Sequence, residues 1–246
     1  MFVDIHHHFV YGVDDGARSF EATKRLLRAS YADGVREVIA TPHVTPGEIR
    51  FPREVFLGRL EHAQVWCAAQ GMDLRLRAGA EILYTDAAPR LLREGEVQTL
   101  AGSRFALLEF LPDDSEARLR EAARRVGAQG FVPVFAHVER YRCLKRARQF
   151  EALRAHLGVR MQVNAATVVS GAGLLRGRLI MSLIRDGLID YVASDSHDLA
   201  GRQTCMTRCY TRLAERFGEG TARALTRENQ MEILRGAKEN RGGGEK

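Results

Sequence analysis

The regular alternation of short apolar runs with longer amphipathic segments constrains the fold of this chain more than any other feature. Each apolar run has the length and composition of a strand, and a segment with helical spacing of apolar residues follows it. Strands are predicted at residues 2–5, 37–41, 74–80, 104–110, 131–136, 160–164 and 191–194. Strands that alternate with helices form a mostly parallel sheet. If that sheet closes into a barrel, the carboxyl ends of all strands meet at one rim, where barrels of this kind carry their chemistry.

The helices and the chain length indicate a single domain. Helices are predicted at residues 19–33, 52–70, 86–93, 115–129, 145–156, 174–186, 203–217, 220–226 and 227–236. With 246 residues and no repeat or linker-like segment, the chain suits one domain. We predict that this domain covers residues 1–238 and that residues 239–246 form a flexible polar tail. No apolar run reaches membrane-spanning length and no secretory leader is visible, so a cytoplasmic protein without membrane insertion is expected.

Three consecutive histidines, His6 to His8, look at first like a purification tag. A tag lies in a polar leader, whereas these histidines directly follow the strand predicted at residues 2–5. In an extended segment alternate residues share a face, so His6 and His8 should point to one side and His7 to the other. Two imidazoles on one side at the end of a strand are a typical metal-binding arrangement.

Residues of metal-binding type stand at or just after the ends of most predicted strands. They are five histidines and four carboxylates: His6, His8, His43, His137 and His197, with Asp15, Glu81, Glu109 and Asp195. Taken singly, each has an ordinary structural interpretation, such as a loop histidine for His43 or a helix cap for Glu81 and Asp195. Their joint position at the same end of successive strands favours one shared site.

The make-up of this set indicates the metal and the reaction. Nine candidate ligands are too many for one tetrahedral ion, so a cluster of two or three divalent ions is predicted. Nitrogen and oxygen ligands without thiolate suit Mn²⁺, iron or Zn²⁺, and the carboxylates favour Mn²⁺. Neighbouring ions can share a hydroxide that attacks phosphorus, so metal-assisted phosphoester hydrolysis is the predicted chemistry.

Charge and cysteine usage argue against two other classes of protein. The net charge of +6 permits an anionic substrate, but the arginines are spread over many predicted helices, so no nucleic-acid partner is predicted. The four cysteines are Cys67, Cys143, Cys205 and Cys209; they form no C-x-x-C pair and are expected to be reduced. None is followed six residues later by arginine, so the chain lacks the spacing of thiol-dependent tyrosine phosphatases.

Taken in order along the chain, these residues resemble the motifs of the polymerase-and-histidinol-phosphatase (PHP) superfamily. The motifs are His6-x-His8, Thr41-Pro42-His43, the strand ends at Glu81 and Glu109, Ala136-His137 and Asp195-x-His197. More narrowly, segments 4–8, 13–16, 79–82, 137–141, 162–164 and 193–197 resemble the bacterial capsular and exopolysaccharide protein-tyrosine phosphatases. The resemblance extends from Phe2 to about Gly236.

The resemblance implies a distorted (β/α)7 barrel with a trinuclear, often manganese-dependent site. It assigns His6, His8, Glu81 and Asp195 to one ion, Glu81, Glu109 and His137 to a second, and Asp15, His43 and His197 to a third. It also places Arg140 and Arg202 near the phosphate, where an arginine fork can bind two oxygens. The implied activity is hydrolysis of phosphotyrosine on the tail of a bacterial tyrosine kinase that regulates polysaccharide assembly.

Several alternatives stay open from the sequence. The middle residue of the first motif is usually small and polar in the family and is His7 here, and residues 44–48 after His43 are expected to shape substrate access. A histidinol-phosphate phosphatase or another small-molecule phosphoesterase would share the chemistry. A nuclease-like activity or a non-enzymatic scaffold is disfavoured, because one domain is predicted and all nine ligands are present. The metal, the physiological substrate, any general acid and the oligomeric state are left open.

Overall fold

The computed structural model describes residues 1–170 and 173–242, and parallel strands alternate with helices along them. The strands are β1 (Phe2–His7), β2 (Val35–Ala40), β3 (His43–Val44), β4 (Arg75–Ala78), β5 (Glu81–Leu83), β6 (Phe105–Glu109), β7 (Val132–Phe135), β8 (Arg160–Asn164) and β9 (Tyr191–Ala193). The helices are α1 (Phe20–Ala32), α2 (Arg53–Ala69), α3 (Ala88–Arg93), α4 (Glu116–Gly127), α5 (Ala147–Leu157), α6 (Ala165–Ser170), α7 (Leu174–Arg185), α8 (Met206–Phe217), α9 (Glu219–Arg223) and α10 (Gln230–Gly242). Single turns of 3₁₀ helix lie at Leu100–Gly102 and Val138–Arg140, and a π-helical turn lies at Ala224–Glu228.

All strand pairs are parallel, in the orders β1-β2-β4 and β3-β5-β6-β7-β8-β9. The third strand, expected at residues 74–80, corresponds to β4; the strand is interrupted at Gly79 and Ala80, and β5 beyond them was not predicted. Strand β2 passes so close to Gly79 that a Cβ there would lie 2.8 Å from the Ile39 side chain and 3.2 Å from the Ala40 carbonyl oxygen. The chain bends at this contact, and the short β3 pairs with β5 beyond it.

Backbone hydrogen bonds between the two ends of the sheet close it into a barrel. The amide of Asp195 donates to the carbonyl of His6 (2.9 Å), and the amide of His8 donates to the carbonyl of Ser196 (2.9 Å). With β2 and β3 counted as one bent strand and β4 and β5 as another, the barrel has the seven strand positions that the sequence predicts.

Apolar side chains fill the barrel interior below the rim. The interior cluster combines alternate strand residues with side chains from α10: Val3, Ile5, Ile39, Phe105, Leu107, Val134, Ala136, Tyr191, Ala193, Ile233 and Leu234 belong to it. A second and larger cluster lies between the strands and the surrounding helices. Burial of both faces leaves the carboxyl ends of the strands as the place where polar side chains can gather.

The helices differ from the sequence prediction mainly near the chain end. Helix α6 was not predicted, and α10 runs to Gly242, into the segment assigned to a flexible tail. Residues 243–246 of that tail lie outside the described residues, so the division at 238 stays a prediction. All four cysteines are free. Across residues 1–170 and 173–242, no helix combines the length and the apolar character needed to cross a membrane.

Candidate metal centre

The nine side chains selected from the sequence meet at the carboxyl rim of the barrel. They come from β1, β3, β5 and β6, from the residues that follow β7 and β9, and from the loop after β1: His6, His8, His43, Glu81, Glu109, His137, Asp195, His197 and Asp15. Eight of them fall into three groups whose ligand atoms lie within 4.8 Å of one another, and His137 contacts the third group. The sequence prediction therefore brought together residues that are neighbours in space.

The first group is fully buried and consists of His6, His8, Glu81 and Asp195. The Nε2 atom of His6 lies 3.1 Å from Glu81 Oε2 and 3.3 Å from Asp195 Oδ1. The Nε2 atom of His8 lies 3.3 Å from the same Glu81 oxygen. This group has the composition that the family resemblance assigned to the first ion.

The second group lies nearer the surface and combines His8, Asp15, His43 and His197. Asp15 Oδ1 is 3.4 Å from His43 Nε2 and 3.3 Å from His197 Nε2. The resemblance assigned Asp15, His43 and His197 to one ion, and the structure adds His8 to their neighbourhood.

The third group contains His43, Glu81 and Glu109. His137, which the resemblance placed with the two glutamates, has its Nε2 atom 2.7 Å from Glu81 Oε1 and 3.4 Å from Glu109 Oε1. Three members recur: His8 belongs to the first and second groups, Glu81 to the first and third, and His43 to the second and third. Such sharing is the arrangement expected of closely spaced ions, so the assignment of each ligand to one ion stays a prediction.

Hydrogen bonds on the far side of the rings orient the histidines. Gln162 Oε1 lies 3.2 Å from His6 Nδ1, and because it also accepts from the His137 amide (2.7 Å), it acts as an acceptor for both. His8 Nδ1 contacts Asp14 Oδ2 (2.7 Å), and His197 Nδ1 contacts the Asp195 carbonyl (2.9 Å). With a proton held on each Nδ1, Nε2 is the ring atom that faces the carboxylates and can bind a metal ion in place of a proton, which is how metal-ligating histidines are held.

The carboxylates give the rim a strong attraction for positive charge. Burial lowers the pKa of His6, but Glu81 and Asp195 outweigh it and raise that pKa to about 10. Burial likewise opposes the charged form of His43, yet Glu109 and Glu81 raise its pKa to about 9. His197 differs, because burial and the nearby His8 lower its pKa to about 4. Divalent cations bind at these carboxylates in competition with the protons on the neighbouring imidazole rings.

Two buried polar atoms of the rim, Glu81 Oε2 and His197 Nε2, fit a metal centre by their surroundings. Within the described ranges neither has a hydrogen bond of good geometry, and each has charged neighbours instead: His6 Nε2 at 3.1 Å from Glu81 Oε2 and Asp15 Oδ1 at 3.3 Å from His197 Nε2. An unsatisfied buried carboxylate oxygen is costly in a protein interior. Both atoms belong to candidate ligand groups, so the residues present fit a cluster of divalent ions.

Two arginines, Arg140 and Arg202, contact candidate ligands of this centre, and their role at the phosphate stays a prediction. Arg140 Nη2 donates to Asp195 Oδ2 (2.6 Å), and Arg202 Nη2 donates to Asp15 Oδ2 (2.7 Å). Both side chains are partly exposed. Each guanidinium therefore touches a candidate ligand and keeps further N–H groups for an anion at the mouth.

Sequence analysis named residues 162–164 within the family resemblance but gave their side chains no role. Asn164 Nδ2 donates to Asp195 Oδ2 (2.7 Å) and its Oδ1 accepts from Gln162 (2.9 Å), so both support the ligands. A signal for this was present, because Gln162 and Asn164 are polar residues at alternate positions of β8, with Val163 between them. His7 was predicted to face away, and this is confirmed: its Nε2 lies 3.0 Å from Ser30 Oγ of α1.

Comparison with known proteins decides the family. Residues 2–235 match the family described as capsular polysaccharide synthesis, CpsB/CapC. The chain belongs to the CpsB/CapC family. The tyrosine-protein phosphatase CpsB of Streptococcus pneumoniae is 32% identical over 238 residues, which cover 94% of this chain and 98% of that protein. The tyrosine-protein phosphatase YwqE of Bacillus subtilis is 26% identical over 236 residues, covering 95% and 91%.

Solved structures confirm the fold of this CpsB/CapC member. One solved structure matches with a TM-score of 0.84 at 24% identity. It comes from the pair YwqE of Bacillus subtilis and CpsB of Streptococcus pneumoniae, which are described as unique metal-dependent tyrosine phosphatases. The match covers 95% of this chain and 94% of that one. A histidinol phosphate phosphatase from Lactococcus lactis, complexed with zinc, L-histidinol and phosphate, matches with a TM-score of 0.57 at 14% identity, covering 89% and 93%. The predicted family and barrel are both confirmed.

Proposed function

We propose that this CpsB/CapC-family protein is a metal-dependent protein-tyrosine phosphatase. The observation that carries the proposal is the convergence of three ligand groups that share His8, His43 and Glu81, with Arg140 and Arg202 beside them. The relatives that cover almost the same length are named tyrosine-protein phosphatases. Phosphoester hydrolysis is the reaction that uses both features, because it needs stabilisation of negative charge on several oxygens at once.

The metal centre is proposed to hold two or three divalent ions, with Mn²⁺ favoured over iron and Zn²⁺. The three groups described above are the residues that would hold them. Their donors are imidazole nitrogens and carboxylate oxygens, and this set suits Mn²⁺. Because none of the three groups contains cysteine, they are less suited to soft ions. When bound, such ions supply an activated water at neutral pH and neutralise charge on the phosphate.

The arginines and the supporting residues have separate tasks in this reaction. Arg140 and Arg202 bind the non-bridging phosphate oxygens through the N–H groups that Asp195 and Asp15 leave available. Gln162 and Asp14 keep the rings of His6 and His8 in one orientation. The tyrosine phenolate leaves with a pKa near 10, so its departure needs less protonation than that of an alkoxide.

The physiological substrate is proposed to be phosphotyrosine on the tail of a bacterial tyrosine kinase that controls capsule or exopolysaccharide synthesis. The resemblance described from the sequence supports this choice, and the matching family is one of capsular polysaccharide synthesis. A flexible tail can approach the carboxyl rim of a barrel as an extended peptide. A protein substrate also suits the exposed guanidinium groups at the mouth.

A comparison of two substrates tests the proposal. The Mn²⁺-loaded protein should hydrolyse a phosphotyrosine peptide with a far higher kcat/KM than histidinol phosphate. Arg202→Ala should lower kcat/KM for the peptide by about ten- to a hundredfold, because a hydrogen bond to a charged group contributes about 1.5–3 kcal/mol. Arg212→Ala on the exposed face of α8 is the matched control and should leave the rate unchanged. Preferential hydrolysis of histidinol phosphate would refute the assignment to tyrosine phosphatases.

A further inference from the structure

We propose that a basic cavity next to the metal centre binds a second anionic side chain of the same phosphoprotein substrate. The inference rests on the proposed tyrosine phosphatase function and adds a specificity site to it. The cavity has a volume of about 460 Å³ and lies between the amino-terminal ends of α4 and α5. Its charged and thiol-bearing walls are Glu116, Arg120, Cys143, Lys145, Arg146 and Arg148.

The charges in this cavity are not balanced within the protein. Arg120 pairs with Glu116 (2.6 Å), and Gln149 donates to the other carboxylate oxygen, so the one acidic wall residue is already engaged. In the part of the chain that the structure describes, no carboxylate forms an ion pair with Lys145, Arg146 or Arg148. These three positively charged side chains therefore face one concave space, and an anion bound there would relieve their mutual repulsion.

The size of the cavity suits a side chain rather than a single small ion. A volume near 460 Å³ falls in the range of ligand pockets, about 300–1,000 Å³. A phosphorylated tyrosine or a glutamate pair would fill it and meet several N–H donors. Arginine fits both, because its fork binds carboxylate and phosphate oxygens in the same way.

The cavity lies on the same face of the barrel as the metal centre. Helices α4 and α5 follow β6 and β7, so their first residues lie beside the rim where Glu109 and His137 stand. Arg140 of the metal centre and Lys145 of the cavity are five residues apart in the chain. Five residues span at most about 18 Å when fully extended, which bounds the distance between the two positions.

The connection between the two sites is held in place. Arg176 of α7 donates to the carbonyl of Tyr141 (2.6 Å) and to that of Leu144, and both of those residues are buried. The cavity wall is therefore fixed relative to Arg140. An extended peptide whose phosphotyrosine occupies the metal centre can therefore reach the cavity with a side chain no more than about five residues away.

The test compares peptides that differ only at that distance. One phosphotyrosine peptide carries two glutamates about five residues from the phosphotyrosine, a second carries glutamines there, and a third carries a second phosphotyrosine. In the double variant Arg146→Ala/Arg148→Ala, KM for the acidic and doubly phosphorylated peptides should rise about tenfold, since each exposed charge lost accounts for roughly threefold. KM for the glutamine peptide and for p-nitrophenyl phosphate should not change. The control is Arg208→Ala/Arg212→Ala, which removes the same charge from the exposed face of α8.

A binding measurement separates this inference from the proposed function. Fluorescence anisotropy of a labelled glutamate peptide without phosphotyrosine reports on the cavity even if no phosphoester is cleaved. If the cavity variant loses this binding and the control variant keeps it, the inference is supported. If the same binding result is found in a protein without phosphatase activity, the proposed function is refuted while the cavity is still an anion site. Equal KM values for the acidic and glutamine peptides would overturn the inference, as would equal loss of binding in both double variants.

Discussion

The substitution Asp14→Asn tests whether the orientation of the histidines, and not only their presence, sets metal affinity. The Asp14 side chain is 3% exposed and its carboxylate has three N–H neighbours. Its Oδ1 accepts from the Gly16 amide (2.9 Å), and its Oδ2 contacts His8 Nδ1 (2.7 Å) and the His43 amide (3.3 Å). Burial alone would raise the pKa of Asp14, but the hydrogen bond with His8 outweighs it and lowers that pKa.

Asparagine has the same shape but only one acceptor oxygen. If that oxygen faces His8, the amide group opposes the N–H of Gly16; if it faces Gly16, the amide opposes His8 and His43. Either choice leaves at least one buried donor unsatisfied, which costs about 1–3 kcal/mol of unfolding free energy. Loss of a supporting hydrogen bond to a metal-ligating histidine lowers metal affinity about 10- to 100-fold, or about 1.4–2.8 kcal/mol.

Calorimetric titration of the metal-free protein with Mn²⁺ measures the change in metal affinity directly, and urea unfolding measures the change in stability. Asp73→Asn removes an exposed carboxylate far from the rim and is the matched control. We expect Asp14→Asn to weaken Mn²⁺ binding by at least tenfold and to slow phosphotyrosine hydrolysis in step. An Asp14→Asn protein that folds and binds Mn²⁺ as tightly as the Asp73→Asn protein would refute the reasoning.

Three further outcomes follow from the same geometry. Chelation should abolish hydrolysis, and Mn²⁺ should restore it better than Mg²⁺; full activity in metal-free protein would contradict the metal centre. Gly16→Ala should destabilise the protein and weaken metal binding, because a Cβ there would lie 2.1 Å from the His8 carbonyl. Gly58→Ala is the control: it has open space around it and should raise stability by about 0.5–1 kcal/mol, and calorimetry compares the two variants. Cys143→Ser should keep its turnover rate, because burial raises the pKa of the Cys143 thiol and keeps it protonated.

The candidate ligands could be predicted from the sequence because strand ends have a defined place in a closed parallel sheet. Glu109 and His137 directly follow apolar runs, so their positions at the rim follow from the fold class alone. The residue alternation that set His7 apart from its neighbours also holds, since it is a local property of an extended chain. Residues 162–164 belong to the family resemblance, and the same alternation puts Gln162 and Asn164 on one face of their strand, from which a supporting role could be predicted.

Other features depend on contacts that no local pattern encodes. The break between β4 and β5 arises where Gly79 meets the neighbouring strand, and glycine in a strand has several possible causes. The role of Asp14 depends on the path of the loop after β1, which turns back so that the Ala17 amide donates to the His8 carbonyl (3.0 Å). The basic cavity likewise exists only because α4 and α5 lie side by side.

Backbone conformation explains why two of the strands end at candidate ligands. His137 and Asp195 have positive φ angles, 30° and 53°, and each lies two residues beyond the end of its strand, β7 or β9. A left-handed residue cannot continue a strand and costs about 1–2 kcal/mol for most side chains. Hydrogen bonds offset this cost: the His137 amide donates to the side-chain Oε1 of Gln162, and the Asp195 amide donates to the His6 carbonyl.

Residue type then satisfies two demands at once. Histidine and aspartate tolerate the left-handed region better than most side chains, and they are also ligands for divalent ions. Glycine at either position would make the turn without offering a ligand, while a β-branched residue would do neither. His137 and Asp195 therefore stand where the chain leaves the barrel and also offer ligand atoms to the metal centre. A single residue at each position meets both requirements.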